Sequence, residues 1–194
     1  MASDQAVARY GWATEDSLFG LGGCLTLARG VTPEDALNVL VPDGATEVGS
    51  ASAVRAWAEQ FHEPPYAMVV EAALKGGWTL LVEDSGGYQA TLEGRAESLS
   101  RHGQAVVIFR SINADMAFRY AEAGALVRAF DPLMFEYMPQ VGEPLREEDG
   151  LGFGSMEEGY LEALLLLTER ITKMRLTPED LRAPLGGLAV GYRR

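Results

Sequence analysis

The sequence predicts an α+β domain with a single antiparallel sheet of about four to six strands, helices packed on one face and a C-terminal helix. Two observations support this prediction. Glycine-containing turns twice separate runs of aliphatic and aromatic residues, which is the pattern of a β-hairpin. Helical stretches lie before, between and after these hairpins, without the regular strand–helix–strand alternation of a parallel sheet.

The first predicted helix begins at Thr32-Pro33-Glu34-Asp35. Threonine caps free backbone amides, proline fits the first helical turn, and acidic residues are favourable at the positive end of the helix dipole. The preceding segment, Cys24–Gly30, is too short for its periodicity to distinguish a strand from the end of a helix. A second amphipathic helix is predicted over Ser52–Phe61, with Val54 and Trp57 on its apolar face.

Two strands, Tyr66–Leu74 and Trp78–Glu83, are predicted to form a hairpin through Lys75-Gly76-Gly77. Glu71 and Glu83 lie on its two arms and would face each other in one of the possible registers. Opposed carboxylates destabilise a strand pair unless they are solvated, cation-bound or functional. The sequence leaves this register open.

The next predicted elements are a helix over Leu92–Arg101 and a strand over Ala105–Arg110. The strand is the most clearly buried one, because four of its consecutive residues are apolar. A second hairpin joins Phe118–Ala121 to Leu126–Phe130 through Glu122-Ala123-Gly124.

Residues 131–158 are predicted to be a long irregular segment, since they contain three prolines and no periodic pattern. Ser155-Met156-Glu157-Glu158 then has the pattern of a capping box. The helix that follows carries a core-facing stripe at spacings of four and three residues, formed by Tyr160, Leu164, Leu167, Ile171 and Met174. Thr177-Pro178-Glu179-Asp180 repeats the first type of helix start.

Length and composition predict one folded domain over residues 1–194. The chain has 194 residues, of which 47% are hydrophobic and 23% charged, and these proportions are typical of globular proteins. Its formal net charge of -12 argues against a protein that binds nucleic-acid phosphates or an anionic membrane, because both need a basic surface.

The counts of cysteine and histidine exclude two kinds of site. One cysteine, Cys24, cannot form an internal disulfide, and two histidines with one cysteine cannot assemble the usual Cys/His zinc site. Cys24, His62 and His102 are each interpreted as structural. No cofactor or metal is expected, and no residue is assigned as catalytic. Asp84-Ser85-Gly86-Gly87 resembles a protease nucleophile loop only in part and is interpreted as a glycine-rich turn.

The acidic charge is concentrated in residues 131–158. This segment holds eight acidic residues against the single base Arg146, a net charge of -7. Aromatic and methionine residues are interleaved with the acids, a composition that suits docking of a basic protein partner. The residues predicted to bind it are Phe135, Tyr137, Glu147, Glu148, Asp149 and Phe153. The alternative is a solvated loop whose aromatic side chains pack into the core.

A second hypothesis is a small-molecule-binding protein or enzyme with a pocket on the sheet near Trp78, Glu83, Arg110 and Asn113. Polar residues at the exit of a buried strand are well placed for ligand contact, because the rigid sheet fixes them. A turn in which Arg110 pairs with an acid is the alternative interpretation of Arg110–Asn113.

The chain resembles an uncharacterised actinobacterial family of small soluble proteins, a domain of unknown function. The resemblance spans most of the chain except Pro139–Ser155. It rests on Tyr10-Gly11-Trp12, Cys24–Glu34, Gly76–Leu80, Phe109, Asn113–Phe118, Tyr120-Ala121-Glu122, Gly124, Phe130-Asp131-Pro132, Glu169–Thr172 and Arg175–Glu179. It implies a single domain in a cytoplasmic, actinobacterial setting, and it brings no activity, cofactor or catalytic residue.

These observations favour a non-enzymatic cytoplasmic module for protein–protein interaction, of accessory, regulatory or immunity type. Its partner would be a protein with a basic surface, and homodimerisation is also compatible with the sequence. No apolar run has the length of a membrane span. The two hypotheses differ visibly: an interaction module needs exposed apolar side chains around 131–158, whereas an enzyme needs a pocket where carboxylates converge with a base.

Overall fold

A single eight-stranded antiparallel sheet forms the centre of the protein. The computed structural model describes residues 6, 8–14, 17–41, 45–61, 67–84, 86–153, 159–181 and 185–193. The strands are β1 Gly23–Ala28, β2 Ala45–Ser50, β3 Ala67–Lys75, β4 Trp78–Glu83, β5 Gln104–Arg110, β6 Met116–Glu122, β7 Ala125–Phe130 and β8 Leu188–Arg193. They lie in the order β2-β8-β3-β4-β1-β5-β6-β7. The α+β class is confirmed, and the prediction of four to six strands is too low.

Three strands explain the undercount. β1 occupies the segment for which the sequence left strand and helix open. β2 contains only one large apolar residue, Val48, and that side chain is exposed at the edge of the sheet. β8 is short and pairs with β2 and β3, which lie more than a hundred residues earlier. Turn residues do precede both strands, Pro42-Asp43-Gly44 before β2 and Gly186-Gly187 before β8, but neither strand is joined to its pairing partner by a hairpin turn. The sequence also predicted a C-terminal helix, whereas β8 follows the last described helix.

Both predicted hairpins are present. β3 and β4 are joined at Gly76 and Gly77, whose φ angles are 56° and 82°. β6 and β7 are joined at Ala123 and Gly124, with φ angles of 50° and 82°. Two consecutive positive φ angles match the right-handed twist of the flanking strands, which is why glycine marks such turns.

The described α-helices include α1 Ser17–Gly20, α2 Pro33–Leu40, α3 Ala51–Ala58, α4 Arg95–Leu99, α5 Tyr160–Thr172 and α6 Pro178–Leu181, and short 3-10 helices span Gly11–Thr14, Gln89–Thr91 and Arg146–Glu148. Thr32 caps α2 as predicted, because its hydroxyl accepts the Asp35 amide. α4 is shorter than its prediction, since Gly94 precedes it with a left-handed φ of 76°. His62 and the predicted capping box at Ser155-Met156-Glu157-Glu158 lie outside the described residues.

Helices cover both faces of the sheet, so the prediction of one covered face is wrong. α2 and α4 pack on the face that carries Leu81 and Val107, whereas α5 packs on the opposite face against Leu25 and Val82. α3 lies on the same face as α5, over β3 and β8. The physical reason is visible in β1 and β4, which are buried at all six of their positions and therefore lack the alternation of a half-exposed strand.

Among the described residues, none of the helices combines the length and the apolar character needed to cross a bilayer.

Candidate interaction surface

Arg128 of β7 organises the irregular segment that follows it. Its side chain is fully buried, at 0% exposure. The guanidinium donates to the Glu148 carboxylate through Nε at 2.8 Å and Nη2 at 3.1 Å. It also donates to Gln140 Oε1 at 2.7 Å and to the carbonyls of Val141 and Gly142 at 3.3 and 2.9 Å. A buried guanidinium is tolerated only when its donors are satisfied, and here the irregular segment supplies the acceptors.

The backbone of this segment also pairs with the edge of the sheet. Val141 and Ala129 exchange two hydrogen bonds, of 2.8 and 3.1 Å. Gly142 has a φ of 73°, and a Cβ there would lie 1.9 Å from the Val127 carbonyl oxygen. The segment therefore covers part of the β7 edge, at a distance only glycine permits.

Two of the six residues predicted to bind a partner instead pack inward. Phe135 and Phe153 stack with their ring centroids 5.9 Å apart, and each lies about 5 Å from the ring of Phe130. The guanidinium of Arg128 lies 4.9 Å from the Phe130 centroid and 5.7 Å from that of Phe135. These contacts are those of an aromatic cluster joined to the core, so the alternative interpretation holds for Phe135 and Phe153.

The predicted acidic residues are also partly committed to the fold. Glu148 is the buried partner of Arg128 and accepts the Leu145 amide at 2.9 Å as well. The Arg170 guanidinium of α5 donates to the carbonyls of Glu147 and Asp149, both at 2.8 Å. Of these three acids, Glu148 is structural, Glu147 is half-buried and Asp149 is exposed.

The outer side of the segment exposes apolar side chains. Tyr137, also predicted to bind a partner, is 79% exposed. The Asp131 carboxylate accepts the amides of Leu133 and Met134, and the Met134 carbonyl accepts the amides of Tyr137 and Met138, so this stretch is an ordered turn. We call its exposed side chains the apolar patch: Leu133, Met134, Tyr137, Met138 and Val141.

The structure does not bring the four residues of the alternative pocket together. Trp78 and Glu83 lie at opposite ends of β4 and on opposite faces of the sheet. Arg110 donates to the Phe19 carbonyl at 2.7 Å, and Asn113 is exposed in the turn after β5. Side chains alternate between the two faces along a strand, so Trp78 and Glu83, five positions apart, point to opposite sides of the sheet. The four residues therefore do not line one pocket.

Glu71 and Glu83 also lie on opposite faces, since Val70 pairs with Glu83 and Glu71 with Val82. Glu71 is held by Arg55 and by the Leu185 amide. The Glu83 carboxylate accepts the amides of Gln89 and Ala90 at 2.5 and 2.9 Å. Its burial raises its pKa to about 7, although both amides, the Cys24 thiol and Arg95 favour the charged form.

Burial likewise raises the pKa of the Cys24 thiol, and the Glu83 charge beside it adds to the effect. A protonated, fully buried thiol is a poor nucleophile, in agreement with a structural role for Cys24. Among the described residues no group of three or more histidine, cysteine, aspartate or glutamate side chains is placed to hold a metal ion.

One cleft was not identified from the sequence. It lies between α2 and α4 and is lined by Arg95, Arg101 and His102 on one side and by Thr32 and Asp35 on the other. From its sequence context His102 is expected only to end a helix. A signal was available in the basic residues at 95, 101 and 102 of a strongly acidic chain, but their opposing wall lies about sixty residues away.

Comparison with known proteins gives one match. The model of a family of unknown function, DUF6461, matches residues 4–184. No curated protein and no solved structure matches the chain.

Proposed function

The chain belongs to the DUF6461 family, whose function is unknown, and from this starting point we propose that it is a non-enzymatic interaction module. It binds a protein with a basic surface through the apolar patch and the acidic residues around it. The exposed apolar patch on an ordered, anchored segment is the observation that supports this proposal. We further propose that it acts in the cytoplasm of an actinobacterium, as its family resemblance implies.

The patch has the composition of a binding hot spot. Tyrosine and methionine supply large contact areas, and both occur here on the exposed side of the turn. Asp131 caps the turn, and Arg128 holds the residues that follow it through the carbonyls of Val141 and Gly142. Such anchoring lowers the entropy lost on binding, because the segment is already ordered.

The charge around the patch favours a basic partner over a second copy of the chain. Over residues 131–153 there are six acids and one base, Arg146. The exposed Glu136 lies between Met134 and Tyr137 of the patch in sequence, and the exposed Glu143 follows its last residue, Val141. Two copies meeting through this surface would place like charges together. With a basic partner, the opposite charges would speed association and favour that partner over others.

A photo-crosslinking amino acid at Tyr137 tests where the partner binds. The matched control position is Ile112, which is 71% exposed in the turn between β5 and β6. After cross-linking in the native cells, we expect one basic protein to be captured from position 137 and not from position 112. Capture of a second copy of this chain, or equal capture from both positions, would refute the proposal.

Affinity then tests the patch directly with the purified partner. Tyr137→Ser combined with Met138→Ser is expected to weaken binding by about 10–100-fold, the range for loss of one or two hot-spot side chains. Ile112→Ser is the control and should leave the affinity unchanged. Glu136→Gln with Glu143→Gln should slow association and reduce its salt dependence. Wild-type affinity of the Tyr137/Met138 variant would rule out the patch as the binding surface.

A further inference from the structure

An open cleft between α2 and α4 has the size of a small-molecule site. Its volume is about 520 Å³, within the range usual for ligand pockets. The loop before α2, beginning at Gly30, and the turn after α4 both contribute residues to its lining. This cleft lies on the sheet face opposite to α5, which the acidic segment contacts.

The backbone around the cleft is fixed by close contacts. The Arg29 amide donates to the Gln104 carbonyl at 2.8 Å. Gly30 has a φ of 83°, and a Cβ at this position would lie 2.3 Å from the His102 carbonyl oxygen. The loop and the turn therefore touch through backbone atoms, and the residues they carry are held in place.

The cleft concentrates positive charge in an acidic protein. Arg95, Arg101 and His102 line it, against the single carboxylate of Asp35. Arg95 also donates to the Val39 carbonyl, which ties α4 to the end of α2. No ion pair among the described residues involves Arg101 or His102. A guanidinium such as that of Arg101, without an ion-pair partner in a concave site, attracts an anionic ligand, and the His102 imidazole adds a hydrogen-bonding group beside it.

The opposite wall carries neutral and acidic hydrogen-bonding groups. Thr32, Asp35 and Asn38 lie three residues apart and line the same cleft. The Thr32 hydroxyl donates to the Asp35 carboxylate at 2.7 Å, which leaves further acceptor positions on that carboxylate. Carboxylate and amide groups on one wall suit the hydroxyl groups of a ligand.

From these two walls we propose that the cleft binds a small phosphorylated molecule that also bears hydroxyl groups. Arginine recognises phosphate with strong, charge-assisted hydrogen bonds. The phosphate lies against Arg95, Arg101 and His102, and the hydroxyl groups lie against Asp35 and Asn38. This site is independent of the proposed protein-binding surface.

Titration of the isotope-labelled protein with glycerol 3-phosphate, followed by the NMR signals of backbone amides, tests the proposal. We expect saturable shifts centred on Thr32, Ser98 and His102. Glycerol, which lacks the phosphate, should produce none. Inorganic phosphate should bind at the same amides but more weakly, because it lacks hydroxyl groups for the α2 wall.

Matched variants distinguish binding at a specific site from general attraction between charges. Arg101→Gln is expected to weaken glycerol 3-phosphate by about tenfold or more, as loss of a charge-assisted hydrogen bond predicts. Arg146→Gln removes the same charge from an exposed position in the acidic segment and should leave the affinity unchanged. Asn38→Ala should weaken glycerol 3-phosphate but not inorganic phosphate.

Three results would overturn the proposal. The first is the absence of saturable shifts at ligand concentrations up to about 10 mM, at which even a ligand with a Kd of about 1 mM would occupy most of the sites. The second is an equal loss of affinity in Arg101→Gln and Arg146→Gln, which would indicate unspecific attraction. The third is inorganic phosphate binding as tightly as glycerol 3-phosphate, which would contradict the role of the α2 wall. None of these results depends on the apolar patch or its partner.

Discussion

Replacing Glu83 by glutamine is expected to shift the stability difference from wild type in favour of the variant as pH rises through neutrality. The Glu83 side chain is 1% exposed, and its burial raises its pKa to about 7. The amides of Gln89 and Ala90 donate to it, and the Cys24 thiol and Arg95 also favour the carboxylate. These groups offset only part of the hydration that the charge loses on burial.

The magnitude follows from proton linkage. In the unfolded chain Glu83 releases its proton near the ordinary value of 4.5, whereas in the folded protein it keeps the proton to about pH 7. Between these two pH values the folded state binds more protons, so the free energy of unfolding decreases as pH rises. Each pH unit in this interval changes the free energy of unfolding by about 1.4 kcal/mol. Ionisation of Glu83 therefore makes the free energy of unfolding about 3 kcal/mol smaller above pH 7 than below pH 4.5. Glutamine stays neutral at every pH; its single carbonyl oxygen accepts only one of the two amides, which bond to different oxygens of Glu83, so a pH-independent cost is added to the variant.

Urea unfolding of wild type and Glu83→Gln between about pH 4 and pH 8 measures this effect. The difference in free energy of unfolding should shift by about 3 kcal/mol in favour of the variant over this range. Glu136→Gln, which removes an exposed carboxylate, serves as the control, and its difference from wild type should vary much less. A difference for Glu83→Gln that is independent of pH, or that shifts in favour of wild type as pH rises, would refute the reasoning.

Two further stability predictions concern the segment that follows β7. Arg128→Met should destabilise the protein by about 3–5 kcal/mol in urea unfolding, because Glu148 is left as an unpaired buried carboxylate. Adding Glu148→Gln should restore part of the loss; a double variant as unstable as the single one would contradict this pairing. Gly142→Ala should cost at least about 1 kcal/mol more than Gly94→Ala. Both glycines have positive φ angles, but only a Cβ at 142 meets a backbone oxygen, that of Val127. Equal losses of stability in the two variants would show that the backbone around residue 142 shifts to accommodate a Cβ without cost.

The parts of the fold that were predicted correctly have local causes. A hairpin turn requires positive φ angles, and glycine at 76, 77 and 124 supplied that signal within a few residues. Helix α2 was predicted from Thr32 and the residues just after it, and its cap forms as expected. In each case the interaction that stabilises the element joins neighbours in sequence.

The parts that were missed depend on contacts between distant residues. β8 pairs with β3 across more than a hundred residues, and β2 is an edge strand with one large apolar side chain. Covering of both faces by helices could not be inferred from β1 and β4, because a short apolar run does not reveal what packs on each side.

The candidate sites show the same limit. Arg128 in Ala125–Phe130 resembles any strand arginine that points to solvent, and only its acceptors at 140–148 reveal that it is buried. The α2–α4 cleft requires Asp35 to lie opposite Arg101, which no local pattern indicates. Three aromatic residues of the acidic segment were proposed to bind a partner, and only Tyr137 is exposed, whereas Phe135 and Phe153 pack on Phe130; no local pattern distinguishes them.

The distribution of the acidic residues in 131–153 determines which of them can test the interaction surface. Glu148 neutralises a buried arginine, so replacing it would unfold the segment and abolish binding whatever the function of the surface. Asp131 caps the turn that presents the apolar patch, so its replacement would disturb the patch from within. Glu136 and Glu143 are exposed, and neither side chain takes part in an ion pair among the described residues. Loss of binding on their neutralisation would therefore report contact with a basic partner rather than damage to the fold.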